Sequence, residues 1–349
     1  MTAINISSEQ TADRANVLYK IYILLSVIIF FSVLNYSIPQ RDFSDTDTYL
    51  YYIDYIYFFR DADWWHFEGL SKITMLALRF LTQDTLDAVS ILRYVLILVF
   101  SLSMYYMYRS ISWQGLAIAV ALYAPLLGLV TIRATPAYIL VALSAIAAMD
   151  GKWRSIPLLL SGFLFHVSTA LAIPAIFLTL ALSRYGVKNV KTRYIYATFL
   201  VCGLFYGVIG NFGAQSFLDF LGSFSYLAKY TVYIPEANSA AAASEAQSNM
   251  AVHYALMGGI VTLAMFLIYM ARDDQGVDKL FIAISVFVYV SLFLLSSPVV
   301  STRYSPFFIL PALARIDISF RGGWTLASAL GVLIFGTAIF LVNIDLIIL

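Results

Sequence analysis

From residue 17 to the last residue the chain repeats one pattern: a run of about 20 apolar residues, a short polar punctuation, then another apolar run. Such runs predict bilayer-crossing helices at about 17–37, 90–108, 113–131, 135–149, 155–168, 169–183, 194–211, 251–271, 278–297, 302–318 and 323–348, about 11 in all. The run from Leu70 to Leu81 is too short to cross and carries Lys72 and Arg79, which predicts a helix lying on the membrane surface. The first run, from about Leu18 to Ile38, exceeds a signal-peptide core and ends without a small-residue cleavage site, so it is expected to remain as the first spanning helix.

Sidedness follows from the basic residues. With the 70–81 helix left uncounted, Arg14, Lys20, Arg109, Lys152, Arg154, Arg184, Lys188, Lys191, Arg193, Arg272, Lys279, Arg315 and Arg321 share one face. An excess of Lys and Arg in short loops marks that face as cytoplasmic, with the 184–193 cluster as its strongest element. The N-terminus is then cytoplasmic and the C-terminus outside, and two hydrophilic regions, 38–69 and 212–250, lie on the outer face. Parity asks for two crossings within 155–183, each reaching about 21 Å and meeting near His166 and Ser168. A single crossing there would move every later loop to the other side. In the second outer region the tract SAAAASEAQS reads equally as a loop or as the surface of a short helix.

Composition agrees with the pattern. Of 349 residues, 61% are hydrophobic and 12% charged, against about 25% charged in soluble domains, and the mean hydropathy is +0.84. The expected fold class is all-α, a polytopic membrane protein forming a single membrane domain over 1–349. A net charge of +1 suggests no nucleic-acid partner. The one cysteine, Cys202, excludes an intrachain disulfide and a cysteine metal cluster.

Ionisable residues at membrane depth are costly and therefore candidates for function. Asp45 and Asp47 open SDTDTYLYYIDYIYFF just after the first span; helix capping and interfacial tyrosines would account for the same residues. Arg133 in TIRATPAY sits between two spans, and Arg303 with Tyr304 in SSPVVSTRYSPFF sits at the outer end of another; snorkelling would explain either arginine. His166 lies in the apolar GFLFHVSTALAIP, where a packed neutral imidazole is the competing reading, and Glu68 in WWHFEGL is a weaker candidate. Two arginines beside carboxylates suit a site that binds an anion and removes a proton. Guanidinium groups grip phosphate oxygens in a forked geometry and neutralise a departing group, and a carboxylate or histidine can accept a hydroxyl proton. There is no HExxH, no P-loop and no G-x-G-x-x-G, so neither a metal nor a nucleotide cofactor is implied, and DTD by itself is a short match to the metal-binding DxD found in glycosyltransferases.

The order DTDTYLYYIDYI, a Glu before the next helical region, an apolar helix opened by IR, a GKWR turn, FHVS and a late TRYS resembles the EpsG and Wzy-type polysaccharide (O-antigen) polymerases over residues 41–310. One departure is that Ala134, Thr135 and Pro136 follow Arg133, where family members often carry polar and glycine residues. The resemblance implies an inverting glycosyltransferase with a GT-C-like membrane fold, joining undecaprenyl-pyrophosphate-linked oligosaccharide repeat units at the periplasmic face of a bacterial inner membrane. In that reading Arg133 and Arg303 hold the donor pyrophosphate, Asp45 or Asp47 activates the acceptor hydroxyl, and His166 orients a group or shares the proton. Glu68 and Tyr304 would border the substrate, while Tyr226, Tyr230 and Tyr233 stack on sugars or anchor at the interface. Partners would be membrane lipid, the lipid-linked glycan and a chain-length regulator. A lipid-linked oligosaccharide transporter or flippase, and an O-antigen ligase, are the rival functions; paired halves with broken midplane helices would mark a transporter.

Overall fold

The computed structural model describes residues 2–39, 50, 69–82, 84–187, 190–200, 240–295 and 303–318. They form helices and turns only. The helices are α1 (Thr2–Ser37), α2 (Gly69–Leu81), α3 (Thr85–Met107), α4 (Trp113–Pro125), α5 (Thr135–Met149), α6 (Ser155–Phe165), α7 (Ile173–Arg184), α8 (Ala240–Met270), α9 (Gly276–Leu295) and α10 (Pro306–Arg315). A further helical stretch covers 192–200. The protein is an all-α polytopic membrane protein. Among the described residues four helical segments are long and apolar enough to cross a bilayer: Asp13–Ser37, Thr85–Met107, Val167–Arg184 and Gly276–Phe293. Of the other predicted crossings, 113–131, 135–149, 155–168 and 302–318 correspond to shorter apolar helices, 251–271 corresponds to the end of α8, and most of 194–211 and all of 323–348 lie outside the described residues.

By contact, the chain divides into two compact units, Met1–Leu143 with Ile156–Ala170 and Leu313–Leu349, and Ser144–Ser155 with Leu171–Ala312. In the first, α1 packs along α3 and α4. Its outward side chains, Leu18, Tyr22 and Ile29, are exposed and apolar, as lipid contact requires, while Leu24, Val27 and Phe31 are buried. Polar side chains of α1 satisfy the backbone where α3 turns into α4. The Asn16 amide donates to Ile111 O at 3.2 Å and accepts from Trp113 N at 2.8 Å, and Lys20 Nζ donates to Arg109 O at 3.2 Å. Asp317 Oδ1 accepts from Ser112 N at 3.0 Å. These are the orphan groups of two adjoining helix ends, and leaving them buried without partners would cost about 1–3 kcal/mol each. At its other end α3 is capped by Asp84, whose side chain accepts from Leu86 N at 2.8 Å. That cap starts α3 five residues before the predicted boundary.

In the second unit two turns carry the punctuation. Gly151, at φ 69°, closes α5: its N–H bonds Ala148 O at 2.9 Å, and Lys152 N bonds Ala147 O at 2.8 Å. Gly186, at φ 73°, closes α7 in the same way through Ser183 O and Leu182 O. Both are Schellman ends, which need a left-handed residue that glycine alone adopts without strain. Ser183 Oγ donates to Met149 O at 2.9 Å, and the Arg184 guanidinium lies 4.3 Å from the Trp153 ring centre. The segment that leaves at residue 155 therefore returns at residue 184 to the turn it started from, which rules out a single crossing between them. Elsewhere in this unit α9 packs against α7 and α8, and Tyr196 of the 192–200 stretch donates to Met265 O at 3.0 Å. The alanine tract of the second hydrophilic region begins α8 and is helical from Ala240.

The 70–81 segment is a helix, as predicted, and its buried face carries a cation. Ser71, Lys72, Met75 and Leu78 are buried, whereas Ile73, Phe80 and Leu81 are exposed. The packing of Met75 and Leu78 against Ala88, Val89, Leu92 and Leu96 of α3 fixes this rotation, and Lys72 turns inward with them.

Candidate functional site

The first unit contains a half-buried arginine on a turn that the sequence builds in an unusual way. Pro125 closes α4, where it lacks the N–H that a regular helix would use, and the next residues, Leu126–Val130, run as a π-helical turn. Thr131 N then bonds Leu126 O at 2.9 Å, five residues back. Two threonine hydroxyls lock the end of that turn. Thr131 Oγ1 donates to Leu126 O at 2.9 Å, and Thr135 Oγ1 lies 2.6 Å from Leu127 O and 2.9 Å from Thr131 O. Ala134 N and Thr135 N both reach Thr131 O, and α5 starts there with Pro136 in its first turn, where a missing N–H costs nothing. Arg133 is held between the carbonyl end of one helix and the amide end of the next.

Arg133 borders a small open cleft with Ser71, Thr74, Met75, Leu92, Leu96, Ile132, Pro136 and Phe165. Among these described lining residues it is the one charged group. The two hydroxyls are engaged elsewhere: Ser71 Oγ donates to Phe165 O at 2.6 Å, and Thr74 Oγ1 to Leu70 O at 2.9 Å. The remaining walls are apolar. A guanidinium set in such walls attracts an anion more strongly than it would in water, because the low dielectric screens little.

His166 follows Phe165 directly and is half-buried. Its Nδ1 accepts from Ser168 N at 3.2 Å, so the neutral ring carries its proton on Nε2. Held that way it is a hydrogen-bond donor, which fits orienting a group better than removing a proton. Beside it the hydroxyls of Ser168 and Thr169 are buried without a hydrogen-bond partner. Gly162, one turn earlier, lets α6 approach the start of α5: a Cβ there would stand 3.2 Å from Val141 Cγ2 and 3.5 Å from Ala137 O. The structure thus brings the arginine turn and the His166 end of α6 to one place.

Arg303 and Tyr304 belong to the second unit. Arg303 is half-buried at the head of the last described helical stretch. Tyr304 is 1% exposed, its ring centre 5.8 Å from those of both Phe307 and Phe308, and Phe308 lies 5.8 Å from Tyr289. Expected as a substrate contact, Tyr304 offers no free ring face; its contribution is to seat the helix that follows Arg303. Asp45, Asp47, Glu68, Tyr226, Tyr230 and Tyr233 lie outside the described residues.

Two cations in the first unit escaped the sequence reading. Lys72 is 4% exposed on α2, and Arg93 is fully buried inside α3. A charge within the spanning run SILRYVLILVF was signal enough for Arg93. No group of three or more His, Cys, Asp or Glu among the described residues could hold a metal ion.

The family model described as the EpsG family matches residues 18–345, nearly the whole chain. No curated protein and no solved structure matches it.

Proposed function

The chain belongs to the EpsG family, a Wzy-like family of polysaccharide polymerases, and from that premise we propose that it is a membrane glycosyltransferase that polymerises undecaprenyl-pyrophosphate-linked oligosaccharide repeat units. The observation that carries the reading is Arg133, a guanidinium on a threonine-braced turn at the mouth of an otherwise apolar cleft. The pyrophosphate of the donor sits against Arg133, and the first isoprene units of the carrier lie along Met75, Leu92, Leu96 and Ile132. A leaving pyrophosphate gains negative charge as the glycosidic bond breaks. A fixed cation in a low-dielectric wall stabilises that charge without reorganising, an effect commonly worth a factor of about 100–1,000 in rate.

The acceptor hydroxyl is deprotonated by Asp45 or Asp47 and attacks the anomeric carbon opposite the pyrophosphate, so the configuration inverts. Arg303 supplies the second cation to the pyrophosphate, Glu68 and the tyrosines Tyr226 and Tyr230 border the sugars, and His166 donates from Nε2 to position one of them. The reaction takes place at the periplasmic face of a bacterial inner membrane, with the N-terminus cytoplasmic and the C-terminus periplasmic. No bound metal is required in this scheme, since the leaving charge is met by guanidinium groups.

Purified protein in proteoliposomes with a lipid-linked repeat unit tests the reading. A ladder of products spaced by one repeat supports it. One transfer to a lipid A core acceptor means a ligase, and translocation without a new glycosidic bond means a transporter; either result removes the proposal.

A further inference from the structure

Arg93 lies in the middle of the buried stripe of α3 and is 0% exposed. Its neighbours on that stripe pack against α2 and against the segment that ends in Arg133. Val89, four residues before it, and Leu96, three after it, share a core cluster with Ile132. Ile97, four after it, approaches Gly128, where a Cβ would stand 3.6 Å from its Cγ1. Arg93 thus lies on α3 between residues that approach Gly128 and Ile132. Residues 128–130 are the carbonyl end of a helix running from Trp113 through Val130. The hydroxyls of Thr131 and Thr135 serve Leu126 O and Leu127 O, and the amides of Ala134 and Thr135 turn to Thr131 O, so none of these four donors reaches the carbonyls of 128–130. A helix ends there with partial negative charge, which a cation stabilises.

We propose that Arg93 is a positioning residue for Arg133: its guanidinium docks on the carbonyl end of the π-helical turn and fixes the 131–134 turn in the geometry that presents Arg133 to the cleft. The proposal rests on the reading of Arg133 as the anion-binding group, and it adds a residue that does not itself touch the substrate. Its five N–H donors in a rigid fork suit several carbonyls at a helix end, which a lysine ammonium on a simpler stem does not reproduce.

The test uses full-length detergent-solubilised protein and two readouts, amide hydrogen exchange over 126–136 and affinity for undecaprenyl diphosphate. Arg93→Gln and Arg93→Lys are compared with the parent protein. The expected result is exchange about tenfold faster, confined to 131–134, with donor affinity about tenfold weaker in Arg93→Lys and more so in Arg93→Gln. In an Arg133→Ala background, Arg93→Lys changes affinity less than about twofold, because it acts through the group already removed. Should Arg93→Gln fail to fold, Arg93→Lys carries the test. Parental exchange in Arg93→Lys, faster exchange along the whole of α3, or full multiplication of the two affinity losses would each overturn the proposal. Exchange needs no substrate: a loosened turn together with normal polymer from Arg133→Ala would remove the functional reading and leave the role of Arg93 standing.

Discussion

Two regions of this molecule each place an arginine where a helix ends, and they treat it in opposite ways. At 150–154 and 183–187 the chain is stopped by glycines at positive φ, Lys152 pairs with Asp150 at 2.8 Å, and Arg184 lies across a Trp153 that is itself exposed. At 126–136 no glycine turns the chain. A proline, a π-helical turn and two threonine hydroxyls do so, and the arginine they carry is half-buried against apolar walls. The first arrangement is what a charged residue at a membrane boundary needs to stay solvated. The second spends local hydrogen bonds on holding a charge at a cleft, which solvation alone would never require.

The largest expected effect separates the two arginines. Arg133→Ala should reduce polymer at least about 100-fold and leave single repeat units in a gel assay, whereas Arg184→Ala should keep polymer within about twofold, since an exposed cation–π contact is worth only about 0.5–1 kcal/mol. Equal losses in both would dissolve the distinction.

Next is the bracing. Thr135→Val removes the hydroxyl that lies 2.6 Å from Leu127 O, and a thermal melt should show a loss of about 1 kcal/mol with a donor affinity lowered about tenfold. Thr179→Val, whose hydroxyl only returns to Ala175 O within its own helix at 2.6 Å, should leave donor affinity unchanged.

At the glycine-closed turns the effect should be on stability alone. Gly151→Ala forces a side chain into the left-handed region and 3.1 Å from Ser183 Oγ, costing about 1–2 kcal/mol in a melt with the polymer ladder intact at low temperature. Gly186→Ala, at the same φ region but with open space around it, should cost about 1 kcal/mol.

This contrast also marks what could be read from the residues alone. Apolar run length located α5 at 135–149 and α9 to within a few residues, because a spanning helix must satisfy its own backbone and bury or face lipid with nearly every side chain. The sequence left open whether 155–183 crosses once or twice; the helix breaks at His166, where Ser168 N bonds the ring instead of continuing it. Which way a helix turns its polar residues was not legible. Lys72 is buried, because the rotation of α2 is set by Met75 and Leu78 finding α3, a tertiary fact that no local pattern contains. Arg93 was not among the candidates although it lies inside the predicted 90–108 span, and its complete burial identifies it as an interior group. Of the candidate site, Arg133 and His166 were named from their residue types and the turn between spans. The π-helical turn that presents the arginine depends on Pro125, ten residues ahead of the α5 start, and was not anticipated.

The most direct test of the account is the affinity of the solubilised protein for undecaprenyl diphosphate, measured by calorimetry for the parent chain and for Arg133→Ala. The account predicts binding weakened by about 30-fold or more on losing the guanidinium, about 2 kcal/mol, as expected for charge-assisted hydrogen bonds to phosphate. Equal affinities in the two proteins would contradict it.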